Sequence, residues 1–289
     1  MNVELVAIQL AVDAEAIASA DAYRRHLEAA AATALDSGGS DARLVVFPEV
    51  AGHLALYALA PPRARKAKTL ASALAQAAVR RPLDVLRGVV STRLLDARHA
   101  VLAAIAPDGE RWWKALFGPL ARQYNAYVVA GSFLRLHADG SITNSSHLFG
   151  PDGSLLATTD KVNLLPGVED GAPGGLALHR GDSHVPIVQT PFGKLATLIG
   201  YDACREPQTT QERFVALGPR LTERGGVDIV ANPSANPLGK ETPGDELARY
   251  VVTAHLVCKV LDLAFEGSSE IRGAETSRRG GHVVARVSC

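Results

Sequence analysis

Cysteine is scarce in this chain: Cys204, Cys258 and Cys289 are the only three in 289 residues. They are too few and too scattered for a disulfide framework or a zinc site, and a reducing cytosol is the expected compartment. Net charge is absent, because thirty basic and thirty acidic residues cancel. No overall field therefore draws the chain toward nucleic acid or anionic lipid. There is no Gly-rich phosphate loop and no interleaving of basic and aromatic residues, so nucleotide and nucleic-acid binding find no support. The nine histidines show no metal-ligand spacing, and neither metal nor cofactor is expected. No uncharged apolar run is long enough to span a bilayer. The opening "MNVELVAIQLAV" carries no basic leader and reads as a first strand rather than a signal peptide.

What the chain does have is a large apolar fraction, 47%, beside 21% charged residues, which provides for a sizeable core. "VELVAIQLA" (3–11) reads as a strand, followed by an alanine-rich helix near 18–35 and a buried strand "RLVVFPE" with a polar tip at Glu49. Residues 61–113 read as a helical insertion, with Trp112 and Trp113 anchoring it to the core. The helix "WWKALFGPLARQYNA" leads into a strand "YVVAGSFLRL". Turn signals "HADGS" and "GPDGS" separate strands "ITNSSHLFG" and "LLATTDKVNL". Two short strands meet at "TPFGK", a helix is expected over 209–224, and "VDIVANPS" is a strand. "TPGDELARYVVTAHLVCKV" reads as a helix capped by Thr242 or Asp245, with Cys258 in its core face. "VLDLAF" and "GHVVARV" are the last strands. Strands alternate with helices but hairpins interrupt them, so this is an α/β chain without a simple βαβ repeat.

Three polar sites stand at ends of apolar strands: Glu49, Lys161 with Glu169 eight residues on, and Tyr201–Asp202 after Gly200. Strand ends converge on one rim of an open α/β sheet, where ligands bind. A carboxylate, an ammonium and a nucleophile on such a rim would suit acyl transfer: the carboxylate takes a proton, the ammonium steadies the oxyanion, and a sharp turn adds a backbone N–H. Taken alone, Glu49 reads better as a helix-capping carboxylate, Lys161 as a solvated lysine and Glu169 as a surface acid.

The motifs in order change that balance. "VFPEVAGH", "DKVNLLPGVED", "IGYDACREP", "DIVANPSANP" and the closing "FEGSSEI" together resemble the carbon–nitrogen hydrolase (nitrilase) superfamily of nitrilases, amidases and carbamoylases. The resemblance covers most of residues 2–271. It implies a four-layer αββα sandwich of two mixed β-sheets, formed by the whole chain, 1–289, as one domain. It also implies a homodimer or higher homo-oligomer and cofactor-free hydrolysis of a small amide, nitrile or N-carbamoyl substrate. By the same resemblance Glu49 is the general base and Lys161 stabilises the tetrahedral intermediate with the Tyr201 N–H. Glu169 positions Lys161 or the substrate, and Asn232 lines the oxyanion and substrate pocket.

The nucleophilic cysteine of that family falls on Gly200, which has no side chain to attack with. The expected space beside Glu49 and Lys161 is one large enough for a sulfur atom. Cys204, one helical turn on, is a weak substitute, because catalysis needs close alignment. An impaired hydrolase is the leading expectation. A non-catalytic relative that binds small amides or acts through subunit contacts is the alternative.

Overall fold

The computed structural model describes residues 1–35, 40–61, 67, 69, 72–73, 76, 97–172, 175–207, 213–235, 247–261 and 263–289. Most of the insertion expected over 61–113, the caps Thr242 and Asp245 and the start of the helix expected over 209–224 lie outside them.

Among the described residues two mixed sheets face each other. The first contains β1 (Asn2–Ala7), β3 (Ala42–Val46), β4 (Tyr127–Val129), β5 (Phe133–Leu136), β6 (Ile142–Phe149), β7 (Leu155–Asp160), β14 (Thr276–Arg279) and β15 (His282–Ser288). Its order is β14-β15-β1-β3-β4-β6-β5, with β7 also paired to β6. Strands β1, β3 and β4 run parallel and the others antiparallel. The second sheet is built on β11 (Tyr250–Val260), β10 (Ile229–Ser234), β9 (Gly193–Thr197) and β8 (Ile187–Thr190). Strands β12 (Leu263–Phe265), β13 (Glu270–Arg272) and β2 (Leu10–Val12) pair with β11.

Alternation along the strands divides the side chains between layers. Val3, Leu5 and Ala7 of β1 point inward with Leu44 and Val46, and meet Leu195, Ile229, Ala231, Val252 and Ala254 of the facing sheet. Val6, Val45 and Val128 point outward, under α1 (Ala20–Ala34), α2 (Ala51–Leu59) and α3 (Ala97–Tyr124). Trp113 is fully buried there and donates Nε1–H to the Ala130 carbonyl at 2.7 Å. On the other outer face, Ala196, Leu198, Val230 and Val251 pack under Leu217 and Leu221 of α4 (Leu217–Glu223). The sandwich expected from the motifs is the fold observed.

Four expectations are corrected. Of the helix expected over 209–224, the described residues 213–216 are not helical and only Leu217–Glu223 (α4) is. Residues 250–260 form the strand β11, not a helix, and Cys258 sits on it. That apolar run is buried on both faces, so it lacks the period-two signature that marks a strand, and only its β-branched content (Val251, Val252, Thr253, Val257, Val260) points the right way. The first run, 3–11, is two strands, because the chain leaves the first sheet after Ala7 and joins the second at Leu10. "YVVAGSFLRL" is also broken. Gly131 takes φ +55°, and its Cα lies so close to the Pro48 carbonyl that a Cβ would fall 2.2 Å from that oxygen.

This close approach seats the segment carrying Glu49. Gly131→Ala is expected to lose roughly 2–4 kcal/mol of stability in urea unfolding, from a strained φ and a backbone clash together. A loss below about 0.5 kcal/mol would mean the two segments are not in contact.

Candidate active site

Glu49 stands just beyond β3. Phe47 N–H still bonds the Val129 carbonyl at 2.9 Å, and then the chain turns sharply into α2. The turn places Val50 at φ +66°, a conformation that a β-branched residue adopts only when its surroundings enforce it. They do so here through Ser132, whose Oγ accepts Val50 N–H at 3.0 Å and whose carbonyl accepts Gly52 N–H at 2.8 Å.

Lys161 follows β7 and is tied to β6 by its N–H to the Asn144 carbonyl, 2.8 Å. Glu169 closes a turn on itself, receiving Leu165 N–H on Oε2 at 2.8 Å. Between these segments the side chains form a closed ring. Lys161 Nζ lies 2.7 Å from Glu49 Oε1 and 2.6 Å from Glu169 Oε2. Asn144 Nδ2 donates to Glu49 Oε1 at 2.9 Å and to Glu169 Oε1 at 2.7 Å. All four residues are buried, Lys161 being 2% exposed. Burial alone would raise the Glu169 carboxyl, but the Lys161 charge and hydrogen bonds from Lys161, Leu165 and Asn144 hold it below the usual range.

Gly200 opens a 3₁₀ turn, Gly200–Ala203, straight after Leu198 and Ile199, and takes φ +47°. Its Cα rests against the ring, so that a Cβ there would fall 2.3 Å from Glu49 Oε2. The space anticipated for a sulfur atom is therefore filled by the carboxylate itself. The Ala235 N–H holds that same oxygen from the end of β10 at 3.2 Å. Asn232 bonds the bend, its Nδ2 donating to the carbonyls of Leu198 (2.7 Å) and Gly200 (3.3 Å). The Tyr201 ring is buried against Phe214, with centroids 5.3 Å apart. Cys204 is already extended (φ −73°, ψ 151°), so the helical stacking that would carry its thiol over Gly200 is missing.

The structure thus brings together Glu49, Lys161, Glu169 and the Gly200 bend, with Asn232 behind the bend. Two neighbours, Asn144 and His53, escaped the sequence reading, and Asp202 was marked only as a polar residue at a strand end. Asn144 completes the ring, and its signal was a polar run, "TNSSH", inside a strand buried along its whole length. His53 stands four residues beyond Glu49, at the last letter of the first motif. Asp202 clasps the chain after Lys161, accepting Val162 N–H at 3.0 Å and Asn163 N–H at 2.7 Å.

Burial pushes the Asp202 carboxyl up to about 7, against the pull of the Asn163 N–H, the Lys161 charge and the Val162 N–H. The folded protein then binds this proton more tightly than the unfolded chain does. The stability so gained is whole below pH ~4 and is lost as pH rises through about 7. His53 and His255, both pushed down to about 4 by burial, act in the opposite sense between pH ~4 and ~6.5. They cancel when a variant is compared with its parent. Asp202→Asn should therefore gain on the parent by on the order of 3 kcal/mol between pH 4 and 8, read from denaturant midpoints at each pH. A difference that does not change with pH would show that Asp202 keeps an ordinary acidity.

Comparison with known proteins agrees with this fold. The chain is similar over its whole length to an amidase of the nitrilase superfamily from Nesterenkonia AN1 (TM-score 0.59, 16% identity, 92% of that chain). One variant of that amidase carries the acetamide moiety of fluoroacetamide covalently added at its active-site cysteine. A carbon–nitrogen hydrolase from Helicobacter pylori G27 aligns with a TM-score of 0.61 at 17% identity, over all of this chain and 90% of that one. At such identities the likeness is one of fold. A hydrolase from Schizosaccharomyces pombe is 28% identical over 121 residues, which span 40% of this chain and 33% of that protein. The carbon-nitrogen hydrolase family model matches residues 7–236, from the end of β1 to just past β10 and through every segment of the ring. The chain belongs to the carbon–nitrogen hydrolase family.

Proposed function

We propose that this protein has the site of a hydrolase for a small amide, nitrile or N-carbamoyl group, with Gly200 at the position of the nucleophile. The observation that carries this reading is the buried Lys161 ammonium between two carboxylates, against the bend at Gly200. In this reading Glu49 is the base, Lys161 and the Tyr201 N–H receive the oxyanion, and Glu169 holds Lys161 in place. A thiol at position 200 would give its proton to Glu49 and attack the carbonyl carbon, or the nitrile carbon to give a thioimidate that water then converts to the thioester with release of ammonia. From a carbonyl substrate the nitrogen would leave with that proton, and water, deprotonated by Glu49, would release the acid from the thioester. Gly200 cannot take the first step, so the protein as it stands turns substrate over poorly or not at all.

The same absence favours a second reading, a relative that binds small amides without cleaving them. Both readings keep the whole chain as one domain, acting as a homo-oligomer in a reducing cytosol. Their supports are the family motifs, the absence of any disulfide among Cys204, Cys258 and Cys289, and the absence, among the described residues, of a helix long and apolar enough to cross a membrane.

Gly200→Cys tests the first reading. The new Cβ must push the Glu49 carboxylate aside and accept a positive φ, which should reduce stability by about 1–2 kcal/mol. The displaced carboxylate still lies beside the thiol. Ammonia release from a panel of amides, nitriles and N-carbamoyl compounds should appear, and should fall at least ~100-fold when Lys161→Ala is added. A folded Gly200→Cys protein that releases no ammonia, while the parent binds butyramide, would favour the binding reading.

A further inference from the structure

The ring contains two carboxylates and one ammonium, so a neutral group must hold the carboxylates in register about Lys161. Asn144 is that group. Both hydrogens of its Nδ2 point at carboxylate oxygens, on Glu49 and on Glu169. The reversed amide would set Oδ1 against two negatively charged oxygens, so its orientation is fixed by the network. Oδ1 then faces His53 Nε2 at 3.3 Å, and since Oδ1 can only accept, Nε2 must carry the proton. His53 belongs to α2, while Asn144 lies mid-strand in β6. His53 is less buried than the ring members and stands at the edge of the cluster.

We infer that Asn144 and His53 are positioning residues: His53 fixes the Asn144 amide, and Asn144 fixes Glu49 and Glu169 around Lys161. As an account of hydrolysis this rests on the reading given above, but the arrangement itself can be measured without turnover. Glu169 titrates among Lys161, Glu49, Asp202 and His53, and Asn144 is one of the donors that hold its carboxyl down. Removing that donor must let it rise. Burial keeps His53 itself neutral down to about pH 4, so through the neutral range it acts as a donor rather than a charge.

The experiment is a carbon-13 NMR titration of the glutamate side-chain carboxyls in the protein as it stands. Asn144→Ala should move the Glu169 midpoint upward. His53→Leu should move it the same way by less, and His53→Gln, whose amide can still donate to Asn144 Oδ1, should return it toward the parent. The His53 pair decides the matter even if Asn144→Ala fails to fold. A midpoint unmoved by His53→Leu, or moved alike by Leu and Gln, would overturn the inference. The same substitutions in the Gly200→Cys background should lower the ammonia-release rate about tenfold and shift the acid limb of its pH profile upward, with Gln rescuing both. Titrations as expected without any ammonia release would leave the positioning intact and reject the hydrolase reading instead.

Discussion

A protonated lysine held between two carboxylates away from water is the constraint on which the rest of this structure turns. Removing three charged groups from solvent costs several kcal/mol for each, and their mutual attraction offsets that only in good geometry with further hydrogen bonds. The protein supplies those bonds from three directions, Asn144 in β6, the Leu165 N–H in the turn that carries Glu169 and the Ala235 N–H after β10, while a backbone bond ties Lys161 back to β6. Take away one partner and a buried charge is left uncompensated, so these segments stand or fall together.

The sandwich exists, in this sense, to bring strand ends from two sheets to one place. β3 of the first sheet delivers Glu49, and β9 and β10 of the second deliver the Gly200 bend and Ala235. The backbone approaches are close enough to need glycine at Gly131 and a strained Val50, which the neighbouring Ser132 holds from both its hydroxyl and its carbonyl. Strain beside a buried carboxylate is a common price of fixing its direction. Asp202 extends the same logic to the far side, joining the bend to the chain after Lys161.

The ordering of strand-end motifs made the site legible. That Glu49, Lys161 and Glu169 meet was legible because Glu49 and Lys161 follow strands and because the segments around all three are recognisable motifs. Asn144 was passed over because a single asparagine in a strand carries no local mark of burial, and only its partners, distant in sequence, reveal its role. β11 was misread as a helix because burial on both faces removes the periodic signal. The width of the space beside Gly200 could not be read at all. It depends on where the Glu49 carboxylate settles, a tertiary matter, and the carboxylate settles into the position a side chain at 200 would take.

That the ring is an ion pair of this form can be observed directly. Neutron diffraction from a deuterium-exchanged crystal locates the protons that the geometry implies. The account predicts Lys161 Nζ as an ammonium donating to Glu49 Oε1 and Glu169 Oε2, both carboxylates without deuterium, and both Asn144 deuterons directed at those carboxylates. A deuteron on either glutamate, or a lysine turned away from them, would contradict it.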